Sequence, residues 1–143
     1  MLMGQLALLA AAVFTGAALY INVVEQPARL ELDDRYQLIE WKPAYERGFA
    51  MESSLAFAGF SLGLAVWWEV RHAGWLVGAL LMIANWPFTL LVIKPLNKKL
   101  MALEPAGADR ESRAMIERWG SLHAVRTALG FAASLAFLWA SVS

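Results

Sequence analysis

Apolar residues run along the chain in four stretches, 2–24, 51–68, 73–93 and 122–142. Each approaches the ~20 residues with which an α-helix crosses ~30 Å of hydrocarbon. The first and third carry no charge, the second is short and opens on Glu52, and the fourth contains His123 and Arg126. The links are unequal: 25–50 and 94–121 are long and polar, whereas 69–72 is a tight turn. A link that short makes the second and third helices antiparallel neighbours. The pattern therefore predicts a single all-α domain over 1–143, an integral membrane up-down-up-down four-helix bundle. Both long links lie on one face and both termini on the other.

The links carry structure of their own. Leu30, Leu32, Tyr36, Leu38, Ile39 and Trp41 among charges predict a short interfacial helix ending before Pro43. Glu104-Pro105-Ala106-Gly107 predicts a break, followed by an amphipathic lead-in over 110–119 to the fourth span. Gly59-x-x-x-Gly63, Gly74-x-x-x-Gly78 and Gly130-x-x-x-Ser134 supply notches for close helix packing. Trp67, Trp68 and Trp75 are expected at the membrane interface of the short-link face, with Trp41 and Trp119 near the other.

Composition agrees with lipid as solvent: 59% of residues are hydrophobic and 17% charged. Lys+Arg and Asp+Glu both number 12, so no net field gathers nucleic acid. The absence of Cys excludes disulfides, thiolate metal sites and a cysteine nucleophile. The first stretch lacks a basic leader and a small-residue cleavage motif, and it is longer than a signal-peptide core, so a retained helix is expected. Ten of the 12 basic residues lie in the two long links, against Arg71 alone on the opposite face. The positive-inside rule then predicts cytoplasmic long links and external termini.

Ionisable groups within a span cost about 2.5–3.5 kcal/mol each on insertion scales, so they face partners, cavities or water. Because the helices alternate in direction, Asn22, Glu25 and Gln26, then Glu52, Ser53 and Ser54, then Asn85 and Thr89, and finally His123, Arg126 and Thr127 all fall at the long-link end. Helical spacing sets Asn22 with Glu25 and Gln26, Asn85 with Thr89, and Trp119 with His123 and Arg126 on single faces. A convergent polar pocket is expected, widened by a kink at Pro87. The bland alternative is interhelical glue, with Glu25 or Glu52 pairing with Arg29 or Arg126. His72 lies at the far face from His123, which disfavours bis-histidine haem ligation. No two-histidine spacing supports a metal, and none is expected.

These landmarks stand in a recognisable order: Asn22-Val-Val-Glu25-Gln26-Pro27-Ala28-Arg29, Trp41-Lys-Pro43-Ala-Tyr45-Glu-Arg47-Gly48, Asn85-Trp86-Pro87-Phe88-Thr89, Pro95-Leu-Asn97, and Trp119 with His123-Ala-Val-Arg126-Thr127. Together they resemble the anthrone oxygenase family of small four-helix membrane proteins over nearly the whole chain. The resemblance implies oxidation of anthrones to anthraquinones with dioxygen as co-substrate and no haem or flavin. Carried over by position, it implicates Glu25, Arg29, Trp41, Tyr45, Asn85, Thr89, Asn97, Trp119, His123 and Arg126.

On that basis His123, whose unperturbed pKa lies nearest neutrality, is expected to be the base that deprotonates a lipophilic, anthrone-like or quinol-like aromatic. Arg126 with Asn85 or Thr89 would stabilise the oxyanion, and Glu25 would hold His123 or Arg126. Trp41, Trp86 and Trp119 would sandwich the ring system, with Tyr45, Asn97 and Arg29 completing the binding surface. The substrate would enter from lipid, and self-association into a homo-oligomer is left open. The competing reading is a non-catalytic membrane protein that binds a lipid, a quinone or a partner protein. A transporter is disfavoured, because four helices form a small pathway and no inverted repeat is visible.

Overall fold

The computed structural model describes residues 1–143 as four long helices: α1 (Leu2–Leu30), α2 (Asp34–Val70), α3 (Ala73–Ala102) and α4 (Arg110–Val142). No strand is present. All four are long and apolar enough to cross a membrane. Each packs on two neighbours, α1 and α3 both lying against α2 and α4, in a square up-down-up-down bundle. Trp75 covers Gly4, and the rings of His72 and Trp139 lie 4.9 Å apart, so both termini sit beside the short link.

The long links prove to be mostly helix. The 37 residues of α2 extend about 55 Å at 1.5 Å per residue, well beyond the hydrocarbon. Instead of stopping before Pro43, the helix runs through it. One stripe continues from Leu38 and Trp41 through Glu52 and Ala56 to Gly59, Gly63 and Val66, all buried, while Arg35, Glu46 and Arg47 face outward. Charges mark the outer face of this extension and do not end it. The true connections are 31–33 and 103–109, the latter holding the expected break as a 3₁₀ turn over Pro105–Gly107. Asp33 caps α2, and Asp109 with Ser112 forms a capping box on α4. Arg113 ties the first connection to α4 by donating to Asp34 and to the carbonyls of Leu30 and Leu32.

α1 and α3, which run parallel, each contain one π-helical turn, over Ile21–Glu25 and Thr89–Ile93. In each, the residue after the turn donates five positions back, Gln26 to Ile21 and Lys94 to Thr89. A proline follows directly, Pro27 or Pro95, at the point where the ladder loses a donor. α3 passes through Pro87 as α-helix and widens only at Thr89.

Two apolar cores result. That nearer the termini is built around Phe14, Trp75, Met82 and Phe137, and that at the long-link end around Leu38, Trp41, Leu100, Ile116 and Trp119. The glycine notches serve the first: a Cβ on Gly63 would come within 2.6 Å of the Phe137 ring. Trp75 is therefore a core residue and not an interface anchor, because Gly4 makes room for its indole, whereas Trp68 is exposed. Between the two cores lies a layer of polar side chains contributed by all four helices.

Candidate functional site

His123 of α4 is 1% exposed, and both ring nitrogens are engaged. Nδ1 lies 2.9 Å from Asn22 Oδ1 on α1, and Nε2 lies 3.3 Å from Glu52 Oε2 on α2. The amide of Asn22 is oriented by its own donor, which reaches the Gly120 carbonyl at 2.9 Å. Its oxygen also accepts from the Thr127 hydroxyl at 2.7 Å. The network therefore assigns the hydrogen to His123 Nδ1. That leaves the Nε2 lone pair facing a carboxylate oxygen. The two groups are thus set edge to edge at hydrogen-bond distance, buried from solvent. Arg126 Nη2 donates to the same Glu52 oxygen at 3.0 Å. The other oxygen, Oε1, has no partner.

The Glu52–Arg126 pair is one that the interhelical alternative names, and Glu52 thus fills the role that the resemblance leads one to expect of Glu25. The π-turn is the cause. With 3.6 residues per turn Glu25 follows Asn22 on one face, but the widened turn brings Gln26 and Arg29 inward and leaves the Glu25 side chain 28% exposed. Glu25 instead pairs with Arg29. Arg29 is buried and donates to Glu25, Glu40 and Gln26, with its guanidinium carbon 5.5 Å from the centre of the Trp119 ring. Gln26 donates in turn to the Ile116 carbonyl at 2.8 Å. Arg29 clamps α1 to α2 where it meets the polar chamber.

Two cavities flank Arg126. The first is a polar chamber lined by Tyr45, Glu52, Asn97, Trp119, His123 and Arg126, with Glu25 and Arg29 at its edge. Its free interior of about 20 Å³ suits a single water. The second, about 190 Å³, lies between α2 and α3 and is lined by Phe49, Ser53, Asn85, Trp86, Thr89, Leu90 and Arg126. It opens sideways through the outward-facing Phe49, Trp86 and Leu90, where a membrane-embedded bundle meets acyl chains. Phe49 and Arg126 belong to both cavities and form the partition between them.

The layer is short of partners. Glu52 Oε1, Asn85 Oδ1, Thr89 Oγ1, Arg126 Nε and both amide atoms of Asn97 are buried without a hydrogen bond. A buried polar atom left unpaired costs about 1–3 kcal/mol, and a cluster of them beside a cavity is the composition of a ligand site. The tryptophans do not form the expected sandwich. Trp41 is fully buried, stacked on Tyr45 at 4.9 Å and edge-on to Trp119 at 5.9 Å, and lines neither cavity. Trp119 faces the polar chamber with its ring 5.1 Å from His123. Trp86 stands at the mouth of the lateral pocket, its indole N–H donating to the Ser53 carbonyl at 3.3 Å. Asn85, Thr89 and Arg126 come together as expected.

Sequence spacing gathered Glu52 and Asn22 with His123 in one polar layer without singling them out as its partners. The signal for Glu52 was the stripe Trp41, Tyr45, Glu52, Ala56, which places its carboxylate on the inner face of α2. For Asn22 it was the i, i+4 pair His123 and Thr127 on the facing helix, which presents two donors to one acceptor.

Comparison with known proteins adds one match. The family model described as anthrone oxygenase aligns with residues 41–136, which takes in α3, most of α2 and most of α4, with Glu52, Asn85, Thr89, Asn97, His123 and Arg126 inside it. No curated protein and no solved structure matches the chain. With well over half of the chain aligned, and with the four membrane-capable helices that the resemblance leads one to expect, this chain belongs to the anthrone oxygenase family.

Proposed function

We propose that the protein is a membrane-embedded, cofactor-independent oxygenase of a lipophilic, anthrone-like or quinol-like aromatic. One observation carries this reading: Arg126 joins the buried His123–Glu52 couple to a lateral, largely apolar pocket whose own polar atoms lack partners. A flat substrate entering from lipid occupies that pocket beside Trp86. Its ketone oxygen takes the donors of Arg126 and Thr89, while Asn85 orients a ring hydroxyl through Oδ1.

The methylene proton leaves to Glu52 Oε1, directly or through the single water of the polar chamber, with His123 Nε2 beside the other carboxylate oxygen to share it. His123 thus serves as base through Glu52, since neither of its nitrogens is free. The electron pair left on carbon is delocalised as an enolate held by Arg126. The enolate gives its electrons to dioxygen, a C–O bond forms, and the returned proton yields a hydroperoxide. Loss of water leaves the quinone, so anthrone plus dioxygen gives anthraquinone plus water. The excess of basic residues at the long-link end sets that face in the cytoplasm by the positive-inside rule.

The test is turnover of an anthrone by purified protein alongside His123→Ala and Arg126→Ala, with folding followed by circular dichroism. The reading predicts folded variants with turnover reduced at least ~100-fold. Full activity in both would sink the site assignment. A binding protein would show saturable uptake of the aromatic and no product. Absorption spectra and metal analysis of the active protein test the cofactor claim, and stoichiometric haem or metal would overturn it.

A further inference from the structure

The seam between α3 and α4 holds a second site, distinct from the α2/α3 pocket. A cavity of about 230 Å³ is lined by Val92, Pro95, Leu96, Lys99, Arg118 and Leu122. A wider, shallower groove continues from it past Leu96, Lys99 and Arg118 to Glu111. The apolar run of α3 ends at Ile93 and that of α4 begins at Leu122. The cavity therefore straddles the boundary where hydrocarbon gives way to headgroups. Val92, Leu96 and Leu122 lie on its apolar side, Lys99 and Arg118 on its polar side. Both cations are exposed, and neither has a carboxylate within ion-pair distance. The π-turn over Thr89–Ile93 lies at the apolar end of this seam.

The geometry points to a binding site for an anionic phospholipid, its phosphate held between Lys99 and Arg118 and an acyl chain lying along Val92 and Leu122. Two cations at headgroup depth above an apolar trough complement a phosphodiester and its chain together; a soluble phosphate lacks the chain, and a zwitterionic lipid brings a cationic head that the two side chains repel. The inference is independent of the oxygenase reading, since none of these residues lines either cavity of the His123 site.

The experiment is native mass spectrometry of the full-length protein released from micelles containing phosphatidylglycerol or phosphatidylcholine, with glycerol phosphate as a headgroup-only probe. Retained phosphatidylglycerol is expected, with little phosphatidylcholine and no glycerol phosphate. Lys99→Gln/Arg118→Gln is expected to weaken retention about thirtyfold, the loss of two surface cations. Lys98→Gln/Arg110→Gln, which removes the same charge from the same face outside the cavity, is expected to leave it unchanged. Equal retention of both lipids, or equal loss in the two double variants, would overturn the site in favour of diffuse attraction. Retention of glycerol phosphate would overturn the lipid in favour of a bare anion site.

Discussion

Replacing Glu52 with Gln keeps the shape of the side chain and removes its charge. In the native layer one Glu52 oxygen receives both Arg126 Nη2 at 3.0 Å and the His123 contact at 3.3 Å. Glu52 is 1% exposed and Arg126 6%, so the variant strands a guanidinium among Phe14, Phe49 and the α3 helix with no counter-charge. Breaking a buried pair from one side costs about 3–5 kcal/mol. For a chain of this size that lowers the unfolding midpoint by roughly 10–20 °C. Removing both partners leaves no stranded charge, so Glu52→Gln/Arg126→Gln is expected to unfold no earlier than either single variant. The assay is thermal unfolding of the four proteins in one detergent, read by circular dichroism, with turnover measured in parallel. All three variants should lose turnover while the double variant regains stability, which separates chemistry from glue. Strictly additive losses of stability would refute the coupling, and with it the claim that one buried carboxylate organises the layer.

Thr89→Val removes a buried hydroxyl that has no partner, and is expected to raise stability by about 1 kcal/mol while weakening aromatic binding; a loss of stability in denaturant titration would mean the hydroxyl bonds within the protein. Ser53→Phe should fill the lateral pocket and abolish saturable uptake of the aromatic while leaving the unfolding midpoint within a few degrees; unchanged uptake would remove that pocket from the account. Gly63→Ala brings a Cβ to 2.6 Å from Phe137 and is expected to cost about 1–3 kcal/mol, largely recovered in Gly63→Ala/Phe137→Leu; equal loss in both would show that Phe137 is not the obstacle.

The span count, the up-down order and the gathering of polar groups at one depth were legible because lipid punishes misplacement so heavily. Apolar runs and link lengths then leave few arrangements. His123, Arg126, Asn85 and Thr89 were legible because they sit on regular α-helical turns, where spacing gives the face directly. Glu25 was misplaced because spacing assumes 3.6 residues per turn and α1 departs from it at Ile21–Glu25. Pro27 and Pro95, each just beyond a π-turn, were the visible trace of that departure. The helices were cut short at residues 24, 51, 93 and 122 because a charge ends a hydropathy run without ending a helix, and Leu38, Trp41 and Glu52 show the stripe passing across one of those borders. Trp75 misled because its burial depends on Gly4, which is far away in sequence and lacks the side chain that would exclude an indole.

The most direct measurement is oxygen uptake by purified, metal-free protein supplied with an anthrone, with quinone formation followed in the same cell. One dioxygen consumed per quinone formed, at a rate that collapses in Glu52→Gln and His123→Ala, is the predicted result. Quinone formed without oxygen uptake, or equal uptake by all three proteins, would contradict the claim that the buried His123–Glu52–Arg126 layer activates the aromatic for reaction with dioxygen.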